Sequence, residues 1–150
     1  MLTERKGLLK EIEVRYKVTD INAAKTSKRI TGTKSVVSHF AALQNETKET
    51  IVVASLDTRG KILCAEAVAV GSGIADSLRP IDIFRASIIV NAASVVLVHN
   101  HPSGEPEPSK QDILFTQKCQ RVADDLGLTL HDHVIIGRKS WYSFAEEGRI

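Results

Sequence analysis

The 150-residue chain is poor in cysteine: Cys64 and Cys119 are the whole set, and no Cys-x-x-Cys occurs. That excludes a disulfide scaffold, a zinc ribbon and a thioredoxin-type redox site, and it makes a cytoplasmic protein with reduced thiols the expectation. No apolar run approaches the roughly 18 residues that cross a bilayer, so no membrane association is expected. The opening Met-Leu-Thr-Glu-Arg-Lys lacks the apolar stretch of a secretory signal. Charge of either sign is also scarce in excess. Twenty basic against eighteen acidic residues give +2, too little to demand a polyanionic partner. Two zinc signatures are missing as well. The His-Glu-x-x-His of thermolysin-type proteases is absent, as are the His-x-Glu and Pro-Cys-x-x-Cys of nucleobase deaminases.

What is present is a globular composition, 43% apolar and 25% charged, in a chain long enough for one domain with a core. Charge is unevenly spread. Residues 1–34 carry nine Lys/Arg against four Asp/Glu, a net +5, which leaves −3 for the remainder. Aromatics that could stack on bases are few there and nearby, with Tyr16 and Phe40 the candidates. The segment therefore reads as a solvated basic face, with weak nucleic-acid contact the further reading.

Residues 12–18 alternate apolar and polar with the period of a half-buried strand. A helix is expected over 34–43 with Thr33 as N-cap. A hairpin follows, Thr50–Leu56 and Lys61–Val70 about a turn at 57–60. Pro80 suits the first turn of a helix reaching about Asn91. The run Ser94–His99 is almost wholly apolar and reads as a central strand covered on both faces. A helix over Lys110–Leu126 closed by Gly127, a strand over Leu128–Ile136 and a short one at Trp141–Phe144 complete the order. Alternating helices and strands give an α/β fold, a mixed β-sheet flanked by helices.

Histidine is where chemistry concentrates. His39 stands alone in a helix among apolar neighbours and reads as packing; the other four form two His-x-His pairs, His99/His101 and His131/His133. His99 and His101 lie where a strand runs out, so both rings leave the same side of the chain. Asp112 falls in the first turn of the next helix and can point back at them. Two imidazoles and a carboxylate are the three protein ligands of a catalytic zinc, with a fourth position for water. Pro102, Pro106 and Pro108 stiffen the loop between. Ser109-x-x-Asp112 also reads as a helix capping box, and a cap can itself position a ligand.

The string His99-Asn-His-Pro-Ser-Gly-x-Pro-x-Pro-Ser109-x-x-Asp112-Ile resembles the signature of the JAMM (JAB/MPN) metallopeptidase superfamily, and specifically its RadC-like branch. Leu56-Asp57, Asn91-Ala92, Asp132-His133-x-Ile-Ile-Gly137 and Tyr142-Ser143-Phe144 extend the similarity over roughly residues 46–147. The resemblance implies a cytidine-deaminase-like α/β fold and one zinc per chain on His99, His101 and Asp112. It further implies hydrolysis of peptide or isopeptide bonds in a protein or peptide substrate, Ser109 supporting the oxyanion, and a glutamate upstream that activates water. Glu49, just before the first hairpin strand, is the candidate; Glu46 is the second choice and Glu66 the third. Asp132 and His133 are expected to act through hydrogen bonds, either behind the ligands or as structural ties, and His131 as a plain strand residue. The division expected is a basic segment with a strand and a helix over 1–45, packed on a JAB/MPN domain over 46–150. Full-length RadC-type proteins carry an N-terminal helix-hairpin-helix region; with about 45 residues ahead of the hairpin, opening on a strand-like segment, a JAB domain without that region is the expectation. A zinc-containing binding module without turnover, or a DNA-associated protein, is the alternative function.

Overall fold

The computed structural model describes residues 29–71 and 77–150. The strand expected over 12–18 lies outside the described residues. Within them the elements are α1 (Thr33–His39), a 3-10 turn (Ala41–Asn45), β1 (Thr50–Leu56), β2 (Ile62–Val70), α2 (Pro80–Ile89), β3 (Ser94–Asn100), α3 (Lys110–Asp125), β4 (Thr129–Ile136) and β5 (Trp141–Ser143). The five strands form one sheet in the order β2-β1-β3-β4-β5. β1 runs antiparallel to β2 and β3, β3 and β4 are parallel, and β5 returns antiparallel to β4. The parallel pair is joined by the crossover helix α3, as parallel neighbours require.

β3 sits at the centre, and all seven of its residues are buried. Alternation along it divides the core in two. Val95 and Leu97 face the side on which Ile83 and Phe84 of α2 and Phe115 and Cys119 of α3 pack. Val96 and Val98 face the other side, with Val36 of α1 and Val134 and Ile136 of β4. Continuing the same period sends His99 towards α3 and Asn100 towards the turn before β1.

The first helix departs from expectation. It ends at His39 rather than 43, and Gly32, not Thr33, is its N-cap. The Thr33 hydroxyl is diverted to Asp132 Oδ2 at 3.1 Å, while the Ser35 hydroxyl oxygen accepts from the backbone N–H groups of Thr31 and Gly32. Past Phe40 the chain tightens to a 3-10 turn, with Leu43 N–H donating to the Phe40 carbonyl at 3.0 Å. Residues three apart eclipse in that geometry, so Phe40 and Leu43 both pack on the α1 side of the sheet. α2 stops two residues early, and Asn91 takes a left-handed backbone at φ 52°.

Candidate metal centre

The site lies where three elements converge: the C-terminal end of β3, the residue before β1 and the first turn of α3. His99 is fully buried on β3. Its Nε2 donates to Glu49 Oε1 at 2.8 Å, which leaves Nδ1 as a bare lone pair. That atom is buried without a hydrogen-bond partner and lies 3.5 Å from Asp112 Oδ1. His101 is fixed from the other direction. Its Nδ1 donates to the Glu105 carbonyl at 2.8 Å, so the bare nitrogen is Nε2, 3.5 Å from Asp112 Oδ2. The rings of His99 and His101 meet edge to face, centroids 4.7 Å apart.

Three electron-pair donors thus face one another, with candidate ligand atoms all within 4.8 Å. Lone pairs turned inward repel unless a cation lies between them. A spacing of 3.5 Å is long for a hydrogen bond and near the roughly 3.4 Å between neighbouring ligands of a tetrahedral zinc. The donor set, two imidazoles and a carboxylate, suits zinc. Among the described residues this is the one His/Cys/Asp/Glu group so arranged.

Asp112 is both cap and candidate ligand. Its Oδ2 accepts from Ser109 N–H at 2.7 Å and Ser109 Oγ–H at 2.6 Å, while its own N–H donates to Ser109 Oγ at 3.1 Å. The capping box is therefore present and aims the carboxylate at the histidines. Burial opposes ionisation of Asp112, but the close approach of His101, the hydrogen bonds from Ser109 and the nearby His99 outweigh it, holding the carboxyl well below the usual range. Burial pushes His99 down against the pull of Asp112. The contact with Asp112 raises His101.

Asn100, between the two histidines, has a position that sequence reasoning missed. Its Oδ1 accepts from Thr50 N–H at 2.7 Å, and its Nδ2 donates to the Lys48 carbonyl at 3.1 Å and the Glu46 carbonyl at 3.4 Å. These bonds bracket Glu49 and hold it against His99. The signal was a buried-strand Asn whose side chain had to be satisfied. Glu46 itself is exposed and contributes only its carbonyl to that bracket. Glu66 lies on β2 and pairs with Arg85 of α2 at 3.3 Å. His39 is half-buried with its ring 5.0 Å from Phe40.

Behind the ligands, β4 supplies the second histidine pair. His131 is exposed, whereas His133 is fully buried. Desolvation pushes His133 down to about 3, so the ring is neutral. Asp132 points to the opposite side of the strand and accepts from Ser143 Oγ, Thr33 Oγ1 and Ala145 N–H, pinning α1 and β5 to β4. The loop after His101 is pinned too. Arg138 N–H donates to the Gly104 carbonyl at 2.9 Å, and a Cβ on Gly137 would collide with that carbonyl.

An α/β domain whose central strand ends in a histidine pair facing a helix-capping aspartate defines a class, the candidate metalloproteins of JAB type. Within that class the chain belongs to the RadC-like JAB domain family, whose profile matches residues 30–149. Relatives are found in bacteria and archaea. A "UPF0758 protein" of Thermotoga maritima is 41% identical over 103 residues, 69% of this chain and 46% of that protein. One from Chlorobium phaeovibrioides is 36% identical over 126 residues, 83% of this chain and 56% of its own length. One from Streptococcus thermophilus is 43% identical over 100 residues, 67% of this chain and 44% of its own. The chain spans about half the length of the curated relatives it matches. No helix among the described residues is long and apolar enough to cross a membrane.

Proposed function

We propose that the chain is a zinc-dependent hydrolase of peptide or isopeptide bonds. The observation that carries this reading is the inward-facing set of His99 Nδ1, His101 Nε2 and the Asp112 carboxylate, with both ring tautomers fixed from outside. Those three residues would hold one zinc. When bound, the ion supplies Lewis-acid polarisation of a carbonyl and makes water acidic enough to lose a proton near neutral pH.

The chain's own groups do the rest. Glu49 is half-buried at the edge of the site. With Oε1 engaged by His99, its second oxygen takes a proton from the attacking water and returns it to the leaving amine. Ser109 is exposed beside Asp112. Its hydroxyl rotates off the carboxylate to donate to the developing oxyanion. Asn100 keeps Glu49 in place, so the base approaches with little freedom to lose. The substrate is a protein or peptide, and the unpaired thiols Cys64 and Cys119 suit a reducing, cytoplasmic setting.

One observation favours a second reading, a zinc-holding binding module without turnover: Glu49 is already engaged in orienting His99. The Glu49→Gln variant separates the two, because Gln keeps an acceptor for His99 and loses the base. With zinc restored after chelation, the parent is expected to cleave linear or branched peptide reporters. The Glu49→Gln protein should hold as much zinc and turn over about 10²–10⁴-fold more slowly. A zinc-loaded parent inert on both reporter types, or a Glu49→Gln variant as active as the parent, contradicts the hydrolase.

A further inference from the structure

The contact between Thr116 and His133 has a direction. Thr116 Oγ1 carries one hydrogen and donates it to the Asp112 backbone carbonyl at 2.6 Å. At its other contact, 2.6 Å from His133 Nδ1, the hydroxyl must accept, so Nδ1 bears the ring proton. A hydrogen-bond chain therefore runs from β4 through Thr116 to the first turn of α3, the turn that carries Asp112. The same ring touches the other candidate ligand on β3. It lies 5.7 Å from His99, 15° from parallel, and 5.0 Å from Phe144, 7° from parallel. Phe115 meets it edge-on at 6.0 Å.

A fold that needed only volume here would use phenylalanine. With Nδ1 donating, Nε2 is a bare acceptor, buried without a partner, and such a group is costly to keep. What the imidazole adds is Nδ1–H, which ties the ring, and with it the plane that stacks on His99, to Thr116. We infer that His133 and Thr116 are positioning residues of the metal centre, His133 setting the plane of His99 by stacking and the turn bearing Asp112 through Thr116. The inference rests on the metal reading of the site.

The test is zinc affinity of the full chain, by competition with a chromophoric chelator, for the parent, His133→Phe, Thr116→Val, Thr116→Ser and the His133→Phe/Thr116→Val pair. His133→Phe and Thr116→Val should each weaken zinc binding about 10- to 100-fold, the usual cost of losing an outer partner of a ligand. Thr116→Ser, which keeps the hydroxyl, should stay within about threefold of the parent. Because both residues serve one chain, the double variant should be no more than about threefold weaker than the worse single. The visible absorption of the cobalt-substituted protein should shift in His133→Phe at full loading. Unchanged affinity and an unchanged cobalt spectrum in variants that merely melt earlier would overturn the inference, as would additive losses. Should His133→Phe not fold, Thr116→Val against Thr116→Ser decides it by the same readout. A parent that takes up no zinc overturns the metal reading and this inference with it, whereas a parent that binds zinc no better than its variants overturns the inference alone.

Discussion

The pairs His99/His101 and His131/His133 share one spacing, and their strands are parallel neighbours with Leu97 opposite His133 and His99 opposite Ile135. The first pair straddles the end of β3, where the chain leaves the sheet and both rings are free to converge on Asp112. The second lies within β4, and its members differ in exposure. His131 meets solvent, while His133 is enclosed among Phe115, Thr116, Phe144 and His99. Identical spacing therefore carries different chemistry according to where the strand stops and what the sheet face meets. Here the His-x-His at the strand end faces a capped helix and converges on Asp112, whereas the one inside β4 has one ring exposed and one buried.

Substitution along the two pairs sharpens that contrast. Replacing His101 with Ala removes a ligand outright, so zinc affinity should fall by more than the ~100-fold that loss of an outer partner costs, in chelator competition. His133→Ala empties a buried aromatic-sized site, and urea unfolding of the metal-free protein should show a loss of about 3–5 kcal/mol. The same burial protects Cys119, whose thiol is pushed up to about 12, chiefly by desolvation. Its stabilising contribution is complete below the unfolded value, 9.0, and is lost as pH rises from there towards 12. Iodoacetamide at pH 8 should accordingly label Cys64 in the native protein and reach Cys119 only on unfolding, by peptide mapping. His131→Ala should change stability by less than about 0.5 kcal/mol and leave zinc binding as it was. A large effect there would break the comparison.

Much of this was legible in the chain. The apolar run of β3, the proline-stiffened loop and Ser109-x-x-Asp112 gave the strand end, the cap and the facing carboxylate, because local patterning dictates all three. The 3-10 turn after α1 was not legible, since it follows from Phe40 and Leu43 reaching a sheet face assembled from distant strands. Nor could Thr33 be read as anything but a cap, when the group that claims its hydroxyl, Asp132, lies 99 residues on. The bracket that Asn100 builds around Glu49 is likewise a contact across 50 residues. Local rules name which residues carry chemistry, and tertiary contacts decide how tightly each is held.

The most direct test of the central claim is the metal content of the full chain by elemental analysis, purified without a metal-affinity tag or chelator, alongside Asp112→Ala. About one zinc per chain is expected in the parent and a near-complete loss in the variant. No zinc in the folded parent, even after zinc is added, or full zinc in Asp112→Ala, would contradict it.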